Sequence, residues 1–464
     1  MLSPVRIIRS SIAADPILCD STRWSAPTST HIRFTTPVFS RSHIDRPPVI
    51  CDPSAYAQNN ISNSMETLLA QERAAEEHVR GLLTSGQLEI VELPATFRAY
   101  RPLCLESIFA DFYNVELREQ RLWDLHQEGR RALHLALQRF RQEPKRVVER
   151  RELTKLYLRF LKDSEKFYRQ YIYRLNTACG GIPELQHVAL AQKQDDEGES
   201  PQTKLPTEFQ RVALESCHRS LIYLGDLSRY RATEKLDNEP DFGPALGYYG
   251  LAAKIKPTSG QGHHQQAVIA LDQKDYSRVL YCLYRALCVP EPYLHAQKNL
   301  DIAIAKINSA SARGELIQKT KPNDQGDAQR ALEGWFVRLH AMCYKGDEFR
   351  GYDELEAEVL NRLATCVKLE RPIDHMLSRM VLTNIGAEFL AGERFQSKSS
   401  AENPTILKAD FSPQNRKTSQ FCLPGSTFFS STSKLSPSSC ACSPKIFEPL
   451  CFASRTRTLS PPLC

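Results

Sequence analysis

Apolar residues between Met65 and Phe395 recur three and four positions apart, and no run alternates with the two-residue period of a strand. The run VVERRELTKLYLRFLKDSEKFYRQYIYRLNTACGG shows the pattern best. It sets Leu153, Leu156, Tyr157, Phe160, Leu161, Phe167, Tyr168, Tyr171 and Leu175 along one helical face. Gly180-Gly181 ends it, because glycine enters the left-handed region without a Cβ clash. Three earlier helices follow from the same period: one from Met65 to near Gly86, one from Phe97, and one through LREQRLWDLHQEGRRALHLALQRFRQ. In the third, Leu117, Leu122, Leu125, Leu133 and Leu137 share a face and Pro144 stops the helix. The fold class is all-α.

The two ends read differently. Residues 1–63 and 396–464 are rich in Ser and Pro and carry no apolar period, so neither buries enough surface to offset its ordering entropy. Both are expected to be disordered. The arginines Arg6, Arg9, Arg23 and Arg33 give the front the composition of a mitochondrial presequence, but Asp15 and Asp20 interrupt it and no amphipathic helix emerges. A polar loop is expected over 191–207 and a polar break over 318–327. Two last helices are read from ALEGWFVRLHAMCYKGDEFRGYDELEAEVLNRLATCVKLE and IDHMLSRMVLTNIGAEFLAGERF. The boundaries that follow are 64–310 for a first helical domain and 328–395 for the start of a second.

Paired helices are legible in the middle of the chain. CHRSLIYLGDLSRYR and FGPALGYYGLAAKIKPTSG form one pair around the insert ATEKLDNEPD. Leu224-Gly225 suit the first helix of a tetratricopeptide repeat, and Ala245, Tyr249, Ala252 and Pro257 suit the second. Small residues at 225, 245 and 252 let the helices approach, and Tyr249 fills the gap. HHQQAVIALDQKDYSRVLYCLYRALCVPEP repeats the scheme with Ala267, Leu283 and Ala286.

Catalytic signatures are missing from the sequence: it has no phosphate loop, dinucleotide fingerprint, nucleophile elbow or zinc-protease motif in a suitable context. Glu354, Glu356 and Glu358 read as a solvated face. His263 and His264 point about 100° apart on a helix and so cannot share a metal; a capped helix start is the simpler reading. Of fourteen cysteines, Cys104, Cys179, Cys217, Cys282, Cys288, Cys343 and Cys366 sit singly in helical patterns, as small hydrophobes do in a reducing compartment. No apolar run is long enough for a membrane span. A non-enzyme with no cofactor, no metal and no membrane partner is expected. The net charge of +6 tolerates an anionic partner without demonstrating one.

Several of these segments resemble the EST-type DNA/RNA-binding family, which includes the telomerase-associated "ever shorter telomeres" protein and the SMG adaptors of nonsense-mediated mRNA decay. The resemblance rests on LGDLSRYR, on GPALGYYGLAAKIKPTSGQGHHQQAVIALDQKDY with LYRALCVPEPYLHAQKNL, and on WFVRLHAMCYKGDEFRGYDELEAEVL with MVLTNIGAEFLAGERF. EQRLWDLH and GGIPELQHVA resemble its filamentous-fungal branch. The family implies a 14-3-3-like domain with tetratricopeptide-type helix pairs, continuing into a helical-hairpin array. It implies an adaptor acting in the nucleus, the cytoplasm or both. Implied partners are proteins, including phosphorylated peptides, and RNA, telomeric single-stranded DNA or telomerase RNA. The tail after Arg394 departs from the family, as an incompletely spliced gene would, so a truncated relative without ligand binding is an alternative.

The resemblance also implies a phosphoserine pocket. Its GDxxRY pattern falls on Gly225, Asp226, Arg229 and Tyr230, with Arg231 adjacent and His264 where the family has asparagine. A guanidinium fork matches two phosphate oxygens, and a phenol adds a donor. The lysine expected five residues after Trp123 is Glu128, a charge that would repel a phosphate. For nucleic acid, residues 145–174 hold ten Lys or Arg against four acids, with Arg150, Arg151 and Arg159 as candidate contacts. Tyr157, Phe160, Phe167, Tyr168, Tyr171 and Tyr173 interleave them as candidate stacking rings, unless packing claims them first.

Overall fold

Helical periodicity becomes twelve α-helices among the residues described by the computed structural model: 53–85, 91–143, 145–185, 188, 206–236, 240–317, 327–344, 349–368 and 374–402. Residues 1–52 and 403–464, with most of the 191–207 loop and the 318–327 break, lie outside that set. No strand occurs among the described residues; the one β-feature is a single parallel bridge between Ser259 and Glu291. Two compact units divide the chain, Met1–Phe160 and Leu161–Cys464. The units do not follow the 64–310 and 328–395 boundaries read from composition.

The first unit contains α1 (Pro53–Ser85), α2 (Leu93–Ala110), α3 (Val115–Arg141) and the front of α4 (Val147–Ala178). Helix α1 begins at Pro53, twelve residues before the expected Met65 start, and packs on α2 and α3. Helix α2 opens four residues before Phe97, with Pro94 in its first turn, where the missing N–H is no loss. Leu93, Phe97, Tyr100, Cys104 and Ile108 of α2 are buried with Leu122, Trp123, Leu125, Leu133 and Leu137 of α3. Leu117, read from its spacing as part of that face, is 62% exposed. It sits in the opening turn of α3, where Val115 already fills the buried position.

Buried charge also stitches this unit. Glu72 is 2% exposed and takes a 3.0 Å bond from Arg118, whose other Nη reaches Asp111 at 3.1 Å. Arg121 pairs with Glu76, which Arg80 also contacts at 2.9 Å. Arg101 donates to His126 at 3.1 Å and lies over the rings of Phe97 and Phe160. Burial first, and the Arg101 charge second, hold the His126 imidazole well below its usual pKa.

The second unit is a succession of helix pairs. It holds the rest of α4, then α5 (Gln210–Thr233), α6 (Gly243–Ile255), α7 (Gln261–Asp272), α8 (Tyr276–Leu287), α9 (His295–Ala312), α10 (Asp327–Cys343), α11 (Tyr352–Lys368) and α12 (Asp374–Glu402). Consecutive helices from α5 to α11 pack on one another, and α12 returns to pack on α8. The α5–α6 contact is the most extensive. A Cβ on Gly225 would lie 2.3 Å from the Tyr249 ring, so only glycine admits that ring, which is fully buried. Ala245 and Ala252 are fully buried beside it, as the tetratricopeptide reading expects.

Three readings need correction. The segment from Ala331 to Glu370 is two helices rather than one, α10 and α11; Gly351 at φ +86° marks the entry to the second. Helix α12 runs past Phe395 to Glu402. His263 and His264 do not cap α7: they lie in its first turn, behind Gly260 at the cap. Gly260 is needed there because a Cβ would meet the Ala286 carbonyl oxygen at 2.1 Å.

Candidate binding site

The GDxxRY segment lies in the C-terminal half of α5, where helical rotation sends its arginines in different directions. Residues two apart on a helix are turned by about 200°. Arg229 is 7% exposed and turns toward α6. Its Nη2 donates to Asp226 Oδ1 at 3.1 Å, and its Nε to the Tyr249 hydroxyl at 3.3 Å. Tyr249 in turn donates to Asp226 Oδ1 at 2.6 Å, closing a buried triangle. The Tyr230 ring lies beneath the guanidinium, 4.6 Å from ring centroid to Cζ. Burial, with Asp226 second, drives the Tyr249 phenol well above its usual pKa and keeps it a donor.

His264 belongs to the Arg229 side. It is 3% exposed, its Nε2 lies 2.6 Å from Asn299 Nδ2, and its ring centroid lies 4.4 Å from that of Tyr293, the planes tilted by 36°. Its Nδ1 is enclosed without a partner. Burial first, then the charges of His295 and Arg229, lower its pKa to about 3, so the ring is neutral near pH 7. Where the family has asparagine, this chain thus holds a neutral imidazole that touches an asparagine on α9.

Arg231 faces α4 instead. Its Nη1 reaches both oxygens of Glu165, at 3.1 and 2.8 Å, and Ser228 donates to the same carboxylate at 3.3 Å. The two arginines read together from the sequence therefore sit in separate clusters, each against its own carboxylate. Glu128 belongs to the first unit, half-exposed and 3.9 Å from Arg80.

The basic stretch resolves in the same way. Arg151 and Arg159 are exposed and Arg150 is half-exposed. The rings proposed to interleave them are core residues: Tyr157 and Phe160 are fully buried, Tyr168 and Tyr171 are 1% exposed, and Phe167 is 5% exposed. Packing has claimed five of the six, leaving Tyr173 half-buried. Tyr171 bonds Ser216 at 2.9 Å and stacks on Phe167. The arginines can meet phosphates, but those five rings cannot stack on bases.

Of the acidic triplet, Glu354 is exposed, Glu358 pairs with Arg362 at 2.8 Å, and Glu356 is half-buried with one oxygen enclosed and unpartnered. Among the described residues, no group of three His, Cys, Asp or Glu could hold a metal, and no helix is long and apolar enough to cross a membrane. All seven cysteines read as helical are free thiols, five of them buried; Cys179 and Cys288 lie just past the ends of α4 and α8. Sequence reasoning missed Glu165, the carboxylate that both Arg231 and Ser228 bond; Arg231 lies 66 residues away, beyond the reach of local spacing.

Paired helices, with a tyrosine–arginine–aspartate triangle buried between α5 and α6, define an all-α scaffold of tetratricopeptide-type helix pairs. Comparison with known proteins agrees. The family model "Telomerase activating protein Est1" matches residues 117–235, and "Est1 DNA/RNA binding domain" matches 245–431, so the match continues past Arg394, where the sequence was read as departing from the family. The chain belongs to the EST-type DNA/RNA-binding family.

Among relatives, "Nonsense-mediated mRNA decay factor SMG7" of Arabidopsis thaliana is 29% identical over 221 residues, 45% of this chain and 20% of that protein. "Telomere elongation protein est1" of Schizosaccharomyces pombe is 29% identical over 173 residues, 35% of each chain. This chain thus spans a fifth to about a third of the length of these two relatives. The solved "Crystal structure of Est1 and Cdc13" superposes with a TM-score of 0.53 at 13% identity, covering 78% of this chain and 70% of that one. At that identity the likeness speaks to the fold alone.

Proposed function

We propose that the chain is a non-catalytic adaptor of telomerase regulation or nonsense-mediated mRNA decay, docking protein partners on its stacked helix pairs. The observation that carries this reading is the match of both family models, 117–235 and 245–431, whose described residues up to Glu402 lie in the helix pairs. Relatives whose names refer to telomere elongation and to mRNA decay support each branch. The proposed location is the nucleus, the cytoplasm or both, which imaging of a fluorescent fusion checks. Affinity capture with the full chain and with a Gly225→Val variant tests the platform. Partners retained by the parent and lost with the distorted α5–α6 pair support it; identical capture by a folded variant counts against it.

A second reading, direct binding of RNA or single-stranded DNA, is favoured by Arg151 and Arg159, which are exposed and hold no ion pair among the described residues. Three phosphate contacts at 150, 151 and 159 correspond to a slope of log affinity against log salt of about −2 for a single strand. The triple alanine variant should flatten that slope. No binding at low salt would remove the reading. Phosphoserine recognition at Arg229, Tyr230, Arg231 and His264 is tested by comparing a phosphorylated peptide with its unphosphorylated twin. Arg229→Ala should erase any preference.

A further inference from the structure

A cavity of about 370 Å³ lies in the second unit, where the opening turn of α8, the end of α9 and the first turns of α10 meet. Its inner wall is apolar: Ala310 and Val337 are buried, and Leu316 and Ile317 are half-buried. Gly334 lets α10 close on that side, because a Cβ there would meet the Leu316 carbonyl oxygen at 2.7 Å. The volume suits one large side chain of a partner.

Charge around the cavity is unevenly spent. Of its three carboxylates, Glu333 accepts a 3.1 Å bond from Arg379, which also reaches Asp275 at 4.0 Å. Glu315 is held by Arg313 at 2.6 and 3.0 Å. Arg330 stands 3.9 Å from Asp327. Lys274 lines the cavity and is exposed, and its ammonium has no ion pair or hydrogen bond among the described residues. Its backbone closes α7 in the left-handed region at φ +59°, with the Asp275 N–H donating to the Ala270 carbonyl at 2.9 Å. Glycine is the usual residue there, so a lysine carries a conformational cost.

We propose that this cavity seats one large apolar side chain of a partner protein, carried on a segment whose flanking acidic residues pair with Lys274. The apolar wall supplies burial, and the unspent ammonium selects the charge of the flank. The carboxylates of the wall do not oppose this, since each already has an arginine partner. The proposal rests on the adaptor reading and deepens it by naming a kind of partner. It uses no residue of the Arg229 or Arg231 clusters.

Fluorescence anisotropy of the full chain with a short labelled peptide, a phenylalanine flanked by aspartates, tests it. A twin with serine for the phenylalanine should bind about tenfold weaker, and a twin with lysines for the aspartates about fivefold weaker. Lys274→Glu should reverse the preference for the acidic flank and keep that for phenylalanine. Ala331→Trp, which fills the cavity from α10, should abolish binding. Lys274→Gly separates binding from folding. It should raise the melting temperature, since glycine suits φ +59°, while weakening the acidic peptide about threefold. Equal binding of the two flanks, equal binding of phenylalanine and serine, or binding that survives Ala331→Trp overturns the proposal. So does a Lys274→Gly chain that melts higher and binds as the parent does. A chain that captures partners yet binds none of the peptides overturns this site and leaves the adaptor reading standing.

Discussion

One joint in the first unit and one in the second rest on different physics. At the first, α1 and α3 meet through carboxylates largely removed from water, Glu72 with the nearly buried Arg118 and Glu76 with the part-exposed Arg121. At the second, α5 and α6 meet by steric fit, with the Tyr249 ring seated where Gly225 has no side chain. Buried ion pairs are directional and depend on both partners being present. A ring against a glycine is indifferent to charge but intolerant of added volume. Each joint should therefore fail under a different kind of substitution.

Removing a partner from the first unit is the most severe test. Arg118→Ala strands Glu72 in a nearly dry position and should destabilise by about 4 kcal/mol in urea denaturation. A loss below 1 kcal/mol would mean that water reaches Glu72 and the contrast is false. Adding a methyl to the second unit comes next. Gly225→Ala gains helix propensity but drives Cβ into the Tyr249 ring, for a net loss of about 3 kcal/mol. The same substitution at Gly247, where a Cβ meets nothing within 4 Å, should stabilise instead.

Acid sharpens the comparison further. His264, with its pKa lowered to about 3, is neutral in the folded chain, while an unfolded histidine protonates below about 6.5. The unfolded state therefore binds more protons across that window, and stability falls as pH drops through 6.5 toward 3. His218, His263 and His340, each lowered to about 4 chiefly by burial, act in the same sense. Between pH 7 and pH 5, His264→Asn should reduce this loss by about 2 kcal/mol. An unchanged difference would show that His264 is already hydrated. Leu117→Ala, at a position mostly in water, gives the smallest effect, less than about 0.5 kcal/mol. A larger loss would restore Leu117 to the core face.

Legibility in the sequence followed how local each interaction is. The small-residue positions 225, 245 and 252 and the ring at 249 were readable because tetratricopeptide packing repeats one geometry. The turn at Gly351 was missed because apolar residues continue on both sides of it, and spacing alone does not reveal the break. Arg229 and Arg231 looked like one pocket because they are near in sequence. Their separation depends on which neighbouring helix each one meets, and Glu165 lies more than sixty residues away.

By itself, the sequence determined the all-α class, the helix pairing between Ser220 and Pro290, and the family, because these depend on periodicity and on short motifs. Only the tertiary structure decided which charges meet. It gave Glu72 to Arg118 and Glu165 to Arg231, and it buried five of the six aromatic residues of α4. The physical reason is range. Side-chain period is a property of one helix, whereas an ion pair needs two surfaces whose register is set by every contact between them.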